Sequence, residues 1–152
     1  MIERSKTMPN KGYFFDVGVY EKYYAKMQTP STPSIPHMFG LKYILEQIEK
    51  EGLENRWQRH IDMAEFTRNW AKERGQSLFP EAGFESNTIT CIHNEQQWDI
   101  NGINDQLLER GYRMDRGYGK MRGQAFRIAH MGNVFMEDLT DYLNNFDEVL
   151  NG

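Results

Sequence analysis

Three prolines, Pro30, Pro33 and Pro36, fall within seven residues of the stretch QTPSTPSIP (28–36). Each fixes φ near −65° and removes a backbone donor, so neither a helix interior nor a central strand can pass through them. The stretch is therefore an ordered extended loop or a surface linker, and it separates a short leading part of the 152-residue chain from a longer body. Pro36 itself suits the first turn of a helix, where its missing N–H costs nothing. The hydroxyls between the prolines make the loop a candidate anion contact, although on composition alone capping and turn roles come first.

Ahead of the loop, Pro9-Asn10-Lys11-Gly12 is a turn signal and Tyr13-Phe14-Phe15 an aromatic run. Asp16 is placed to cap a short helix carrying Val19, Tyr20, Tyr23 and Tyr24. Behind it, Met38, Leu41, Leu45 and Ile48 mark one stripe of a helix ending near Glu51-Gly52. A second helix is predicted from Leu53 to Arg74, with Leu53, Trp57, Ile61 and Ala64 on one face and Gly75 as C-cap.

The second half alternates in character. Asn87–His93 is rich in β-branched residues and reads as a strand. Asp99 caps a predicted helix over 100–110, Gly111 ends it, and Tyr112–Asp115 reads as a short strand. Ala125–His130 is a further strand, and Asn133 is placed to cap a helix with Phe135, Leu139, Tyr142, Leu143, Phe146 and Val149 at amphipathic spacing. This order predicts an α+β fold: a small mixed or antiparallel sheet of about three strands with helices packed on it.

Hydrophobic residues at 39% and charged ones at 26% describe a globular chain rather than a disordered one. A net charge of −4 and a pI near 5.6 give no reason to expect a nucleic-acid partner. Cys91 is the only cysteine, which excludes an intrachain disulfide and suits a reducing compartment. No run approaches the ~20 apolar residues of a membrane span, and MIERSKTMPNKG lacks the apolar centre of a signal peptide. A cytoplasmic protein without membrane attachment is expected.

His37, His60, His93 and His130 show no i, i+3 or i, i+4 pairing, and there is no CxxC or HxxxH, so no metal site is predicted. Cys91 and His93 share a strand face, but mid-strand burial would raise the thiol pKa and hide it from catalysis. The glycine-rich GYGKMRG (117–123) precedes a strand rather than a helix, the wrong order for a phosphate cradle, and reads as a turn. Arg127 stands apart. On a strand whose Phe126 and Ile128 face one side, it faces the other with Ala129. Two readings stay open: a structural ion pair with Asp or Glu, slightly favoured by pattern alone, or bidentate capture of a ligand carboxylate.

Four stretches, KGYFFDVGVYEKY (11–23), QTPSTPSI (28–35), EGLENRWQRH (51–60) and FRIAHMG (126–132), together resemble the C-terminal part of class V aminotransferases. These are pyridoxal-phosphate enzymes of fold type I, in the branch with alanine–glyoxylate, serine–glyoxylate and phosphoserine aminotransferases. The resemblance implies an aminotransferase small domain over 28–152, with 1–27 a lead-in joining a large domain. It implies that Arg127 binds the α-carboxylate of an amino acid or 2-oxo acid. It also implies that Gln28 and Thr29, with Thr32 a second candidate, contact the cofactor phosphate of the other subunit in a homodimer.

EGLENRW resembles a structural helix junction without chemistry. The family's Schiff-base lysine and its pyridine-ring acid lie upstream of the region matched. None of the eight lysines (6, 11, 22, 26, 42, 50, 72 and 120) falls in such a motif. The resemblance therefore implies an excised domain or truncated product that is inactive alone and contributes no catalytic residue. A non-catalytic interaction or dimerisation domain is the alternative. A cysteine desulfurase, from the same superfamily, would need Cys91 on a mobile loop rather than in a strand.

Overall fold

The β-branched run Ile89–His93 (β1) pairs antiparallel with Ala125–Ala129 (β2), placing Cys91 opposite Arg127 and Ile92 opposite Phe126. This sheet belongs to a computed structural model that describes residues 2–9 and 11–152; Asn10 of the turn signal lies outside them. Before the sheet come helices α1 (Ile2–Thr7), α2 (Val17–Tyr24), α3 (Ile35–Glu51) and α4 (Leu53–Glu73). Helix α5 (Ile100–Glu109) and a 3-10 turn at Gly119–Met121 lie between the strands, and α6 (Met136–Asn151) follows. The fold is α+β, as the element order predicts.

The chain divides into two compact units, residues 1–47 and 48–152. In the first, Asp16 caps α2 by accepting from Gly18 N–H at 2.9 Å, and Lys11 lies 3.3 Å from its carboxylate. The proline stretch holds neither helix nor strand before Ile35 and bends at Pro30 and Ser31, and the Tyr13 hydroxyl donates to Pro30 O at 2.9 Å. α3 begins as Pro36 predicts, but its stripe is not buried: Met38, Leu41 and Leu45 are all exposed.

The second unit holds the core. Phe126 and Ile128 of β2 meet Met63 and Trp70 of α4, Leu107 of α5, and Leu139, Leu143 and Phe146 of α6. Edge-to-face and stacked rings centre on Phe146, 5.0 Å from Trp70 and 6.0 Å from Phe126, geometries that add to plain area burial. The buried face of α4 is His60, Met63, Ala64, Thr67, Trp70 and Ala71; of the predicted Leu53, Trp57, Ile61 and Ala64 face, only Ala64 belongs to it. Apolarity misleads here because the polar members satisfy themselves within the helix: Thr67 donates to Met63 O, and His60 Nδ1 lies 2.7 Å from Arg56 O. Leu53 and Trp57 are exposed.

The predicted third strand, Tyr112–Asp115, is reduced to one bridge, Asp115 with Arg127 on the outer edge of β2, and a separate bridge joins Leu78 to Ile92 outside β1. Asp99 caps α5 through Gly102 N–H at 3.1 Å. The last helix is capped not at Asn133 but at Phe135, whose N–H donates to Asp138. Asn133 serves elsewhere. Its side-chain oxygen accepts from Arg56, while Gly132 O accepts from Arg56 and Arg59, and Val134 O from Arg59. Glu51 balances both guanidiniums, accepting from Arg59 Nε at 2.7 Å and Arg56 Nη1 at 2.8 Å.

His130 is fully enclosed, with Nε2 2.9 Å from Thr90 Oγ1, and burial pushes its pKa down to about 4. The unfolded ring, near 6.5, therefore binds a proton that the folded ring refuses; this contribution is complete above pH 6.5 and lost as pH falls through 4. Glu51 is held at about 2, first by Arg59 and then by Arg56, so its contribution is lost lower, between 4.5 and 2. Acid destabilisation is expected in two stages when urea midpoints are followed from about pH 7.5 to 2.5. His130→Gln is expected to flatten the upper stage and leave the lower one. A variant with the wild-type slope between 6.5 and 4 would show that another group carries that stage.

Candidate functional site

Arg127 is held by backbone on both sides. Across β1 it faces Cys91, and its own N–H donates to Asp115 O at 3.1 Å. The same aspartate takes the guanidinium: Arg127 Nη2 donates to Asp115 Oδ2 at 2.5 Å, while Asp115 Oδ1 accepts from Gly117 N–H at 3.0 Å. The ion-pair reading of the sequence is thus present in the structure. It engages only one nitrogen of the guanidinium. Nε is enclosed without a partner, Nη1 makes no hydrogen bond among the described residues, and about 34% of the side chain is exposed. The Tyr118 ring centroid lies 4.9 Å from the guanidinium carbon, within cation–π distance.

Charge follows this geometry. Burial pushes the Asp115 carboxyl upward, but the bonds from Arg127 and Gly117 outweigh it and hold it below the usual range. The hydrogen bond to Asp115 raises Arg127 further above its already high value. Burial raises the Cys91 thiol despite the nearby guanidinium, so it stays protonated at neutral pH and is a poor nucleophile. Cys91, Arg127, Phe79, Tyr118 and Met121 line a small cavity of about 190 Å³. Among the described residues, no three His, Cys, Asp or Glu side chains gather in a way that could hold a metal.

Gly117 makes the turn possible. Its φ of +77° is costly for other residues, and a Cβ there would stand 2.5 Å from Ala125 O and 2.9 Å from Met121 O. Asp115 and Tyr118 are the site residues that sequence reasoning missed. The signal was available in Asp115-Arg116-Gly117, where a short carboxylate two residues before a glycine N–H is an Asx-turn pattern. Reading 112–115 as a strand concealed it.

Gln28, Thr29 and Thr32 lie in the first unit and Arg127 in the second. All three loop side chains are exposed and make no hydrogen bond among the described residues. Their loop follows Met27, a non-glycine residue at φ +54°, and is tied down by the Tyr13–Pro30 bond. No helix among the described residues is long and apolar enough to cross a membrane.

Asp115→Asn is expected to cost at most about 1 kcal/mol of stability, as for a partly exposed ion pair. It should nonetheless free the Arg127 side chain, measurable as a lowered NMR order parameter at its Nε. Gly117→Ala should do the same through the backbone, at a cost of about 1–3 kcal/mol. An Arg127 side chain as ordered as wild type in both variants would show that Asp115 does not position it.

No family model matches the chain. It is 36% identical over 138 residues to a serine–glyoxylate aminotransferase of Arabidopsis thaliana, covering 88% of this chain and 34% of that protein. It is 32% identical over 149 residues to a protein named soluble hydrogenase, small subunit, of Synechococcus sp. (strain PCC 6716), covering 97% of this chain and 38% of the relative. Among solved structures, an alanine–glyoxylate aminotransferase of Nostoc sp. superposes with a TM-score of 0.81 at 26% identity, over 98% of this chain and 41% of that one. The chain thus spans well under half the length of these relatives.

Proposed function

The chain is homologous to the C-terminal part of class V aminotransferases, and from that premise we propose that it is the small domain of a transaminase. The reaction moves an amino group between an amino acid and a 2-oxo acid such as glyoxylate or pyruvate, in a cytoplasmic homodimer. One observation carries the assignment of Arg127. Its guanidinium is anchored by Asp115 through one nitrogen and keeps Nη1 open to an incoming anion.

In this reading Arg127 grips the α-carboxylate of either substrate. Asp115 and Tyr118 keep the fork in one orientation, so the substrate is held at its carboxylate and its α-carbon is presented in a fixed place. Positioning of this kind supplies much of the rate enhancement in reactions between held partners. Pyridoxal phosphate, when bound, supplies an electron sink for the bond broken at that carbon. Gln28 and Thr29, with Thr32, fit its phosphate: an amide and two hydroxyls without internal partners, on a proline-stiffened loop that loses little entropy on binding. We place this contact across the dimer interface, on the cofactor of the other subunit.

The alternative is a non-catalytic interaction domain, and the exposure of Phe14, Phe15 and Phe39 is what favours it. The same exposure is expected of a small domain that rests on a larger one.

In the protein that joins this chain to a lysine-bearing domain, Arg127→Ala is expected to raise KM for amino acid and keto acid alike. A lost charged hydrogen bond corresponds to roughly 10- to 100-fold. Arg127→Lys should recover only part of it, because an ammonium cannot form the planar fork. Unchanged kinetics for both substrates would remove Arg127 from the site. Separately, incubating the 152-residue chain with pyridoxal phosphate and then borohydride should leave no specific lysine adduct. A stoichiometric adduct at one lysine would contradict the assignment of the reacting group to another domain.

A further inference from the structure

Residues 110–127 carry six basic side chains against one acid, a net of +5 in a chain whose total is −4. The role proposed for Arg127 uses one of them and leaves the rest unexplained. Three, Arg113, Arg116 and Arg122, line a cavity of about 770 Å³ in the second unit, which shares Gly117 and Tyr118 with the cavity beside Arg127. No carboxylate balances them. Arg116 donates to the neutral amide oxygen of Asn101 at 3.2 Å. Arg113 and Arg122 form no ion pair or hydrogen bond among the described residues. The one carboxylate in the lining, Asp115, is already committed to Arg127 and to Gly117 N–H.

We propose that this cavity is a second anion site, which takes a small dianion: a phosphate monoester or a dicarboxylate. Like charges gathered on one concavity repel, and guanidinium forks match phosphate and carboxylate edges with paired hydrogen bonds. A bound dianion would relieve the repulsion and use donors that otherwise meet only water. The volume is that of a small-molecule site. A nucleic acid is disfavoured because the rest of the chain carries −9 and would repel a long polyanion. The site uses other guanidiniums than the carboxylate grip proposed for Arg127, although Asp115, Gly117 and Tyr118 border both.

The test is NMR of the arginine Nε–H resonances of the whole 152-residue chain, titrated with inorganic phosphate, succinate and acetate at constant ionic strength. Saturable shifts are expected at Arg113, Arg116 and Arg122 but not at Arg59 or Arg74, with phosphate or succinate at least about tenfold tighter than acetate. Saturation by phosphate alone identifies a phosphate ligand, and saturation by succinate alone a dicarboxylate. Arg113→Gln and Arg122→Gln should each weaken binding about fivefold, since each removes a charge-assisted contact. Both residues are exposed, so neither variant endangers folding. The double variant Arg127→Gln/Asp115→Asn removes the neighbouring ion pair without leaving an unpaired carboxylate in the lining, and should retain this binding.

The proposal is overturned if no resonance saturates, if acetate binds as well as the dianions, or if binding survives the double glutamine variant. It is also overturned if the Arg127→Gln/Asp115→Asn variant abolishes the shifts. That result would place the anion on Arg127 and leave the transaminase reading standing.

Discussion

A guanidinium can play the recognition role proposed for Arg127 only if something else holds it still, and in this chain the backbone of β2 does so. Arg127 is bracketed by Cys91 on one side and Asp115 on the other. Its neighbours Phe126 and Ile128 are locked in the core. The strand cannot rotate without pulling Phe126 away from Trp98 and Phe146, with which it forms a three-ring cluster. The direction of Arg127 is therefore set by apolar packing on the opposite face of a two-stranded sheet, the alternation that a strand imposes. Asp115 and Tyr118 then refine an orientation already chosen.

The segment beyond the strand is governed by a second constraint. Gly132, Asn133 and Val134 run between β2 and α6, and their oxygens are claimed by Arg56 and Arg59 from the start of α4. Two guanidiniums so close together would repel, and Glu51 offsets that by accepting from both. Arg59 also lies over the Phe135 ring at 4.5 Å, at the first cap of α6. The EGLENRWQRH stretch is thus a junction joining the end of α3, the start of α4 and the loop after the arginine strand. Its charged residues serve structure rather than chemistry, and the low pKa of Glu51 reflects that pairing.

How much of this was legible in the residues depended on whether each signal was local. The caps at Asp16 and Asp99, the start of α3 at Pro36 and the β1 run all follow from chemistry within four residues. The face of α4 did not. There, a buried His60 and Thr67 satisfy their polar atoms inside the helix, so the core face looks polar and the exposed Leu53 and Trp57 look like core. The cap of α6 shifted from Asn133 to Phe135 because Arg56, distant in sequence, takes the asparagine side chain. Arg127 itself was visible on the strand, but its partner was not: Asp115 is brought to it by a glycine turn whose φ only the folded chain reveals.

Those details bear on why an arginine with an aspartate beside it need not be a closed ion pair. A bidentate pair would use two adjacent guanidinium nitrogens and leave little for a ligand. Here one carboxylate oxygen takes Nη2 and the other is held by Gly117 N–H, so Asp115 is itself oriented and cannot swing round to cover Nη1. A carboxylate tied to a backbone amide directs its partner without saturating it. The remaining basic residues of 110–127 keep the surroundings positive after Asp115 is counted. An approaching anion therefore meets a guanidinium that is positioned, partly exposed and still short of acceptors. These are the requirements for recognising a small acid in water, where full solvation of the free ligand is the competitor.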